Sequence, residues 1–258
     1  MNNLEGIERF PEINVEEKRR LLSHLISREE ASRRRPIDQY RPHPKQEEFH
    51  KSRARIRLLA GANRSGKSSA GVAEDVWFLL GTHPYREVRV PNKLWICGTD
   101  FPHGVGGVLV PKLKNLLPSE SIDKITRNQQ GIETTFLLKT GSIAEMKRYD
   151  QEVSKFESQD VDAIHFDEPP KKEIFDAATR GLIDRNGSCW LTLTPITEAW
   201  LYKDLWVPSQ TSTHIDSFRM TIYDNPHISR EGIDRFSETV SEDYKRARLY
   251  GEFFELQG

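Results

Sequence analysis

One glycine-rich segment constrains the fold more than any other feature of the sequence. Residues 61–68 read Gly-Ala-Asn-Arg-Ser-Gly-Lys-Ser and fit the pattern G-x-x-x-x-G-K-[S/T] at every fixed position. An apolar run at 56–60 before the segment predicts a strand, and residues 68–80 after it predict a helix. This order predicts a phosphate-binding loop, because the loop N–H groups converge on anionic oxygens at a helix N-terminus.

The remainder of the chain alternates short apolar segments with helical patterns. Strands are predicted at 93–98, 132–138, 142–147, 161–166, 189–193 and 213–218, and helices at 14–30, 111–117, 171–179 and 241–250. This alternation predicts an α/β fold of the RecA-like P-loop class, with a mostly parallel central sheet and helices on both faces. We expect a P-loop domain at 37–252 and a small N-terminal helical lid or arm at 1–36.

Composition and sequence profile argue against a secreted or membrane-spanning protein, but they do not indicate a binding partner. The formal charge of −1 gives no argument for or against nucleic acid. Cys97 and Cys189 lie in apolar strand patterns, so we expect inert core thiols and no metal site. The N-terminus lacks the profile of a signal peptide, and no segment approaches the ~18 apolar residues needed to span a bilayer. We expect a soluble intracellular protein without a membrane partner.

The residues of the loop have separate expected roles. Lys67 is expected to reach the β- and γ-phosphates of ATP, and the Ser68 hydroxyl is expected to help hold Mg²⁺. The predicted nucleotide-binding residues are those of the loop and the serine that follows it: Gly61, Ala62, Asn63, Arg64, Ser65, Gly66, Lys67, Ser68 and Ser69.

A second motif supplies two adjacent carboxylates. The apolar run Ala163-Ile164-His165-Phe166 ends in Asp167 and Glu168. Ionised carboxylates avoid apolar strands unless they are paired or ligate metal, so Asp167 is expected to hold the Mg²⁺ shell and Glu168 to activate the attacking water. Because side chains alternate along a strand, we interpret His165 as a packed or surface-facing histidine that need not meet Asp167.

Several short segments together resemble one family, the ATPase half of the large terminase subunit of tailed bacteriophages. The resemblance covers residues 40–252. Besides the loop and the two carboxylates, the segments that carry it are Pro42-His43-Pro44-Lys45-Gln46, Phe156 with Val161-Asp162-Ala163, Thr192-Leu193-Thr194-Pro195, Asp224-Asn225-Pro226 and Arg248-Leu249-Tyr250-Gly251-Glu252. Their order and spacing are fairly specific, although each segment is short.

The resemblance implies roles for five residues beyond those argued from chemistry. Gln46 is implied to read the edge of adenine, and Arg64 to contact the γ-phosphate. Thr192 and Thr194 fall in the coupling motif, in which a hydroxyl senses the γ-phosphate. Some members carry an arginine that reaches the neighbouring subunit. This sequence lacks it at the usual place, and Arg148 is the candidate.

The resemblance also implies partners. It predicts a motor for double-stranded DNA that works in the host cytoplasm with a small terminase subunit and with the portal protein of a procapsid, as a homo-oligomeric ring when assembled. Full-length members carry a nuclease after the ATPase, so we expect residues 253–258 to begin a linker to a nuclease domain that is absent here. A helicase or remodelling ATPase, and an ATP-binding assembly switch with little turnover, are the alternatives.

Three groups of basic residues are candidates for contact with DNA phosphates. They are Lys51, Arg53, Arg55 and Arg57, the run Arg33-Arg34-Arg35, and the set Lys245, Arg246 and Arg248. A solvated face with no partner is the competing interpretation for each group.

Overall fold

Eight strands form one sheet in the described part of a computed structural model of the chain. The described residues are 14, 16–20, 22–23, 35–157, 159–196 and 198–253. The strands are β1 Ile56–Gly61, β2 Lys93–Gly98, β3 Ile122–Arg127, β4 Glu133–Leu138, β5 Ile143–Arg148, β6 Ala163–Asp167, β7 Ser188–Leu193 and β8 Ile215–Met220. The sheet has the order β3-β4-β5-β2-β6-β7-β1-β8.

The α-helices lie before, between and after these strands in the chain. They are α1 Pro44–Lys51, α2 Lys67–Leu80, α3 Val110–Leu116, α4 Lys172–Arg180, α5 Arg230–Thr239 and α6 Glu242–Tyr250. A π-helical segment, Phe101–Leu109, leads into α3, and a second one, Tyr202–Trp206, follows a single α-helical turn at Ala199–Leu201. Single 3₁₀ turns lie at Pro36–Gln39, Ser119–Ser121, Val153–Phe156, Pro208–Gln210 and Ile222–Asp224.

The central strands are parallel, as the sequence predicts. β5, β2, β6, β7, β1 and β8 pair in parallel. β4 runs antiparallel between β5 and β3. The predicted hairpin is therefore confirmed as β4 and β5, and the parallel strands bring their carboxyl ends to one edge of the sheet, where α/β proteins bind ligands.

Helices pack on both faces because the buried strands alternate their side chains between two cores. Leu59, Ile96 and Trp190 face a core shared with α1, α2 and α3. Leu58 and Phe166 face the core that α4 covers. This confirms the predicted class of fold.

Some elements were not anticipated from the sequence. β3 is an edge strand with mostly exposed or half-buried residues, so it lacks an apolar run. α1 has a polar composition, and its buried residues face the loop and α2. Near the N-terminus, Asn14 caps the predicted first helix, since its Oδ1 accepts the Glu17 N–H at 2.9 Å. The rest of the predicted helix at 14–30 lies largely outside the described residues.

Both cysteines are buried, as expected for core thiols. Burial raises the pKa of Cys97 and of Cys189, which makes their thiolates unfavourable at neutral pH. Among the described residues, no helix has the length and apolar character needed to cross a membrane.

The interpretation of Arg57 as a DNA contact is wrong. Arg57 is 1% exposed, and its Nη2 lies 2.7 Å from Oε2 of Glu74 on α2. Its guanidinium also lies over the rings of Phe49 and Trp190. The side chain faces the core because residues 57 and 59 lie on the same face of β1, the face that α1 and α2 cover. Arg53 and Arg55 are exposed and remain candidates, whereas Arg33 and Arg34 lie outside the described residues.

Candidate nucleotide-binding and catalytic site

The loop at 61–68 turns from β1 into α2 with two residues in the left-handed region. Gly66 has φ of 95°, and Arg64 has φ of 60°. The glycine adopts this conformation without cost, whereas the arginine is strained by it. A Cβ on residue 66 would also lie 2.8 Å from Nε2 of Gln46. The second fixed glycine of the motif is therefore required by both its dihedral angle and its close neighbour.

The C-terminal part of the chain holds the loop from one side. The N–H groups of Ala62 and Asn63 donate to the carbonyls of Met220 and Arg248 at 2.9 and 3.0 Å, and Nδ2 of Asn225 donates to the Arg64 carbonyl at 2.6 Å. These bonds fix the strained turn at Arg64. They also explain why the segments 224–226 and 248–252 occur in the same sequence as the loop, since both segments bond to it.

The N-terminus of α1 holds the loop from the other side. Nε2 of Gln46 donates to the Gly66 carbonyl at 3.0 Å, and its Oε1 accepts the His43 N–H at 3.0 Å. Nε2 of His43 donates to the Ser65 carbonyl at 3.2 Å. Gln46 is 5% exposed, so both ends of its amide are engaged within the protein. This geometry supports a role in shaping the loop, and the adenine-reading role stays a prediction.

We expect Gln46→Ala to weaken binding of ATP and of GTP equally, by about fivefold, because one hydrogen bond to the loop is worth ~1 kcal/mol. Equilibrium binding of fluorescent ATP and GTP analogues measures both affinities. Gln130→Ala, an exposed loop position, is the control and should change neither affinity. A loss confined to ATP would show that Gln46 reads the base and would contradict the loop-shaping role.

Lys67 and Glu168 meet above the loop. Nζ of Lys67 lies 3.4 Å from Oε1 of Glu168, and Oε2 of Glu168 accepts the Thr194 N–H at 3.1 Å. Removal from water raises the pKa of Glu168, and the Lys67 charge opposes that rise without cancelling it. A carboxylate with a raised pKa accepts a proton more readily. The structure thus places a basic, oriented carboxylate next to the lysine of the loop.

Asp167 is held by a chain of buried side chains. Its Oδ1 accepts the Thr192 hydroxyl at 2.7 Å, and Oγ1 of Thr192 lies 2.8 Å from Nε2 of His165. Because the single hydroxyl proton goes to Asp167, Nε2 of His165 carries a proton and donates to Thr192. Nδ1 of His165 lies 2.8 Å from Oδ2 of Asp75 on α2. Asp75 also accepts the Trp190 indole N–H at 3.1 Å.

His165 therefore differs from the sequence interpretation in its partners. It is packed, as one alternative held, but it is fully buried and connects to Asp167 through Thr192, because residues two apart on a strand share a face. Burial alone would lower the pKa of His165, but the Asp75 carboxylate outweighs it and raises that pKa. A Cβ on Gly71 would overlap the imidazole, so α2 has a glycine at the point where the ring packs.

The two threonines of the coupling motif occupy different surroundings. Thr192 is fully buried and uses its hydroxyl on Asp167. Thr194 lies at the end of β7, and its Oγ1 donates to Oδ1 of Asn63 in the loop at 3.3 Å. Thr194 is thus the one of the pair whose hydroxyl contacts the loop.

The oxygen ligands suit magnesium. Ser68 lies in the first turn of α2 and Asp167 at the end of β6, and both follow the carboxyl edge of the sheet. Mg²⁺ prefers hard oxygen ligands and binds proteins through one or two of them, with phosphate and water completing the shell. Oδ1 of Asp167 accepts the Thr192 hydroxyl, and Oδ2 makes no hydrogen bond with the described residues.

A family profile matches the part of the chain that carries this site. The profile of the terminase large subunit, T4likevirus-type, N-terminal, matches residues 58–258. The chain belongs to this family. No curated protein sequence matches the chain significantly.

Solved structures of other large terminases share the fold of this terminase chain. The large terminase from a thermophilic bacteriophage superposes with a TM-score of 0.67 at 14% identity, over 83% of this chain and 54% of that one. The Thermus phage P74-26 large terminase ATPase domain gives 0.63 at 19%, over 85% and 96%. The first of these proteins, in complex with ATP-gamma-S, gives 0.59 at 14%, over 80% and 51%. The chain spans about half the length of that first protein.

Two arginines of this terminase chain with predicted roles, Arg64 and Arg148, make no side-chain hydrogen bond or ion pair with the phosphate loop in the part of the chain that the structure describes. The Arg64 side chain is exposed and makes no hydrogen bond or ion pair with the described residues. Arg148 ends β5, four strands from β1, or about 19 Å at the usual strand spacing. Nη1 of Arg148 lies 3.2 Å from Oδ2 of Asp150, and the guanidinium lies over the Phe101 ring. This position separates Arg148 from the loop of its own subunit.

Some residues at this terminase site were missed in the sequence. Nζ of Lys112 on α3 donates to Oγ of Ser69 at 3.0 Å and adds a cation beside the loop. Asp75 supports His165 across 90 positions of sequence. A signal for Asp75 was present, since two consecutive acids, Glu74 and Asp75, interrupt an apolar helix. Lys112 gave none, because a lysine in a short helix is ordinary.

Proposed function

We propose that this terminase chain binds ATP with Mg²⁺, hydrolyses it, and uses the hydrolysis to move double-stranded DNA into a procapsid. The observation that carries the proposal is the placement of Glu168 between Lys67 and the Thr194 N–H, at the end of the strand that also carries Asp167. Glycine turns that only bind phosphate have no need of a second, oriented carboxylate.

The proposed chemistry assigns one task to each group. The loop N–H groups and Lys67 bind the phosphates, while Ser68 and Asp167 hold Mg²⁺, which offsets phosphate charge when bound. Glu168 orients the water and accepts its proton. Thr192, supported by His165, keeps Asp167 in place.

The structural relatives support ATP as the nucleotide. The large terminase from the thermophilic bacteriophage has been solved in complex with ADP and with ATP-gamma-S, and the P74-26 relative is described as an ATPase domain. We extend both properties to this chain as proposals, supported by the placement of Glu168 beside Lys67 of the loop and the Thr194 N–H.

We propose the remaining roles from the family. Residues 37–252 form the ATPase domain. Arg64 contacts the γ-phosphate, and Arg148 acts on a neighbouring subunit in a ring, since it lies far from its own loop. The small terminase subunit and the portal protein are the proposed partners in the host cytoplasm.

Steady-state ATP hydrolysis, with and without duplex DNA, tests the proposal. Wild type is expected to turn over ATP and to be stimulated by duplex DNA. Lys67→Ala is expected to lose ATP binding at least ~tenfold, because its ammonium is the phosphate-binding charge in the loop. Lys124→Ala, on the exposed edge strand, is the matched control and should behave as wild type.

Two results would contradict the proposal. ATP binding with negligible turnover, insensitive to DNA, would favour an assembly switch. Turnover stimulated by a protein substrate and not by duplex DNA would favour a remodelling ATPase.

A further inference from the structure

Glu168 has an unusual backbone conformation. Its φ is 64°, in the left-handed region that residues with a Cβ rarely adopt. Such strain persists only where surrounding contacts impose it, and it concentrates at functional sites. The direction of the Glu168 side chain depends on this φ. The contacts that impose the conformation therefore also set where the carboxylate lies.

Two contacts hold the turn formed by Asp167 and Glu168. The Glu168 N–H donates to the Thr192 carbonyl at 2.8 Å. On the other side, the Tyr149 hydroxyl lies 3.0 Å from the carbonyl oxygens of both Asp167 and Glu168. The hydroxyl also lies 3.4 Å from the Cys97 carbonyl oxygen, the longest of its three contacts. Carbonyl oxygens only accept, so the phenol donates its proton, and the two consecutive carbonyls of Asp167 and Glu168 are its nearer acceptors. A single hydroxyl thus bridges the two peptide groups around the strained residue.

Tyr149 is itself firmly placed. It directly follows β5, its N–H donates to the Gly98 carbonyl at 3.0 Å, and its ring packs against the core covered by α4. Burial raises the pKa of Tyr149 well above its usual value, so the hydroxyl keeps its proton. It makes no hydrogen bond with residues 61–69 in the part of the chain that the structure describes.

We propose that Tyr149 is a positioning residue for Glu168. Its hydroxyl holds the Asp167–Glu168 turn in the left-handed conformation and so directs the carboxylate toward Lys67 and the Thr194 N–H. The inference rests on the proposed function, in which Glu168 activates water. Tyr149, which directly follows β5, adds a residue to a site that is otherwise built at the ends of β1, β6 and β7.

The consequence is a separation of catalysis from binding. Without the hydroxyl, the strained turn loses one of its two restraints and the carboxylate leaves its position beside Lys67. The phosphate loop keeps its contacts with α1 and with the residues from Met220 onward, which do not involve Tyr149. Tyr149→Phe should therefore lower kcat and leave ATP affinity unchanged.

We expect Tyr149→Phe to lower kcat at least ~tenfold, with the Kd for ATP within about twofold of wild type. Phenylalanine keeps the ring and removes only the hydroxyl. Tyr40→Phe is the matched control, since that tyrosine also bonds through its hydroxyl, to His50 at 3.1 Å, but belongs to no part of the site. Its kcat should equal that of wild type. An unchanged kcat in Tyr149→Phe would overturn the inference.

A double variant separates positioning from general destabilisation. If Tyr149 acts through Glu168, adding Tyr149→Phe to Glu168→Gln should lower kcat no further than about twofold. Losses that multiply would show that Tyr149 acts independently of Glu168 and would overturn the inference.

A crystal structure of Tyr149→Phe gives a readout without turnover. We expect Glu168 to leave the left-handed region and its carboxylate to leave Lys67. A Glu168 φ that stays near the 64° of the parent would refute the positioning role whatever the kinetics show. Wild type that hydrolyses no ATP would instead contradict the proposed function, while this structure would still decide the role of Tyr149.

Discussion

Glu168→Gln is expected to reduce ATP turnover at least ~100-fold and to leave ATP binding intact. Glutamine keeps the size of the side chain and an oxygen that accepts the Thr194 N–H, which now bonds Oε2 at 3.1 Å. It removes the charge beside Lys67 and the capacity to accept a proton from water. Steady-state hydrolysis and equilibrium binding of an ATP analogue measure the two properties separately.

Glu173→Gln provides the control for this variant. Glu173 is an exposed residue in the first turn of α4, five positions from Glu168, and its turnover should remain within about twofold of wild type. Turnover by Glu168→Gln at the wild-type rate would show that another group activates water. The assignment of the catalytic base would then be wrong.

Arg57→Ala is expected to lower the free energy of unfolding by ~3–5 kcal/mol, the usual cost of removing one partner from a buried ion pair. Burial opposes ionisation of Glu74, but Arg57 and hydrogen bonds from His50 and His83 hold its pKa well below the usual range. Without Arg57, Glu74 loses its closest permanent charge at 2.7 Å. Denaturant unfolding at neutral pH measures the loss.

Arg53→Ala is the matched control, since Arg53 is an exposed arginine four positions away in the same segment. Its stability should change by no more than about 0.5 kcal/mol. If Arg57→Ala instead unfolds like wild type and weakens duplex DNA binding, Arg57 contacts DNA and the buried pair contributes little.

The central sheet was predictable because its signals are local. Nearly every residue is buried in apolar runs such as Lys93–Gly98 and Ser188–Leu193. The glycine-rich loop between β1 and α2 indicates that the sheet belongs to a P-loop fold. Ile122–Arg127 was missed because an edge strand needs little apolar sequence. The helix Pro44–Lys51 was missed because two of its three buried residues are polar, with Gln46 bonded to the loop and His50 to Glu74.

Only the site residues that define motifs could be named from the sequence, and their chemical roles stay predictions. Nζ of Lys67 lies 3.4 Å from Oε1 of Glu168, which directly follows Asp167 at the end of β6. The residues that support them come from distant parts of the chain, and no spacing relates Tyr149 to Glu168 or Asp75 to His165. The engagement of Gln46 with the loop also depends on three-dimensional packing, since a glutamine in a short helix gives no sign of its partner.

Because His165 packs against Gly71, the residue types that these two distant positions tolerate depend on each other. A methyl group at 71 would overlap the imidazole and lie 2.9 Å from the Thr192 Cγ2, so the two sites cannot change independently. Related sequences with alanine or a larger residue at 71 should carry a smaller side chain at 165, and they should lack the acid at 75 that pairs with the ring. In an alignment of homologues, positions 71, 75 and 165 should therefore change together.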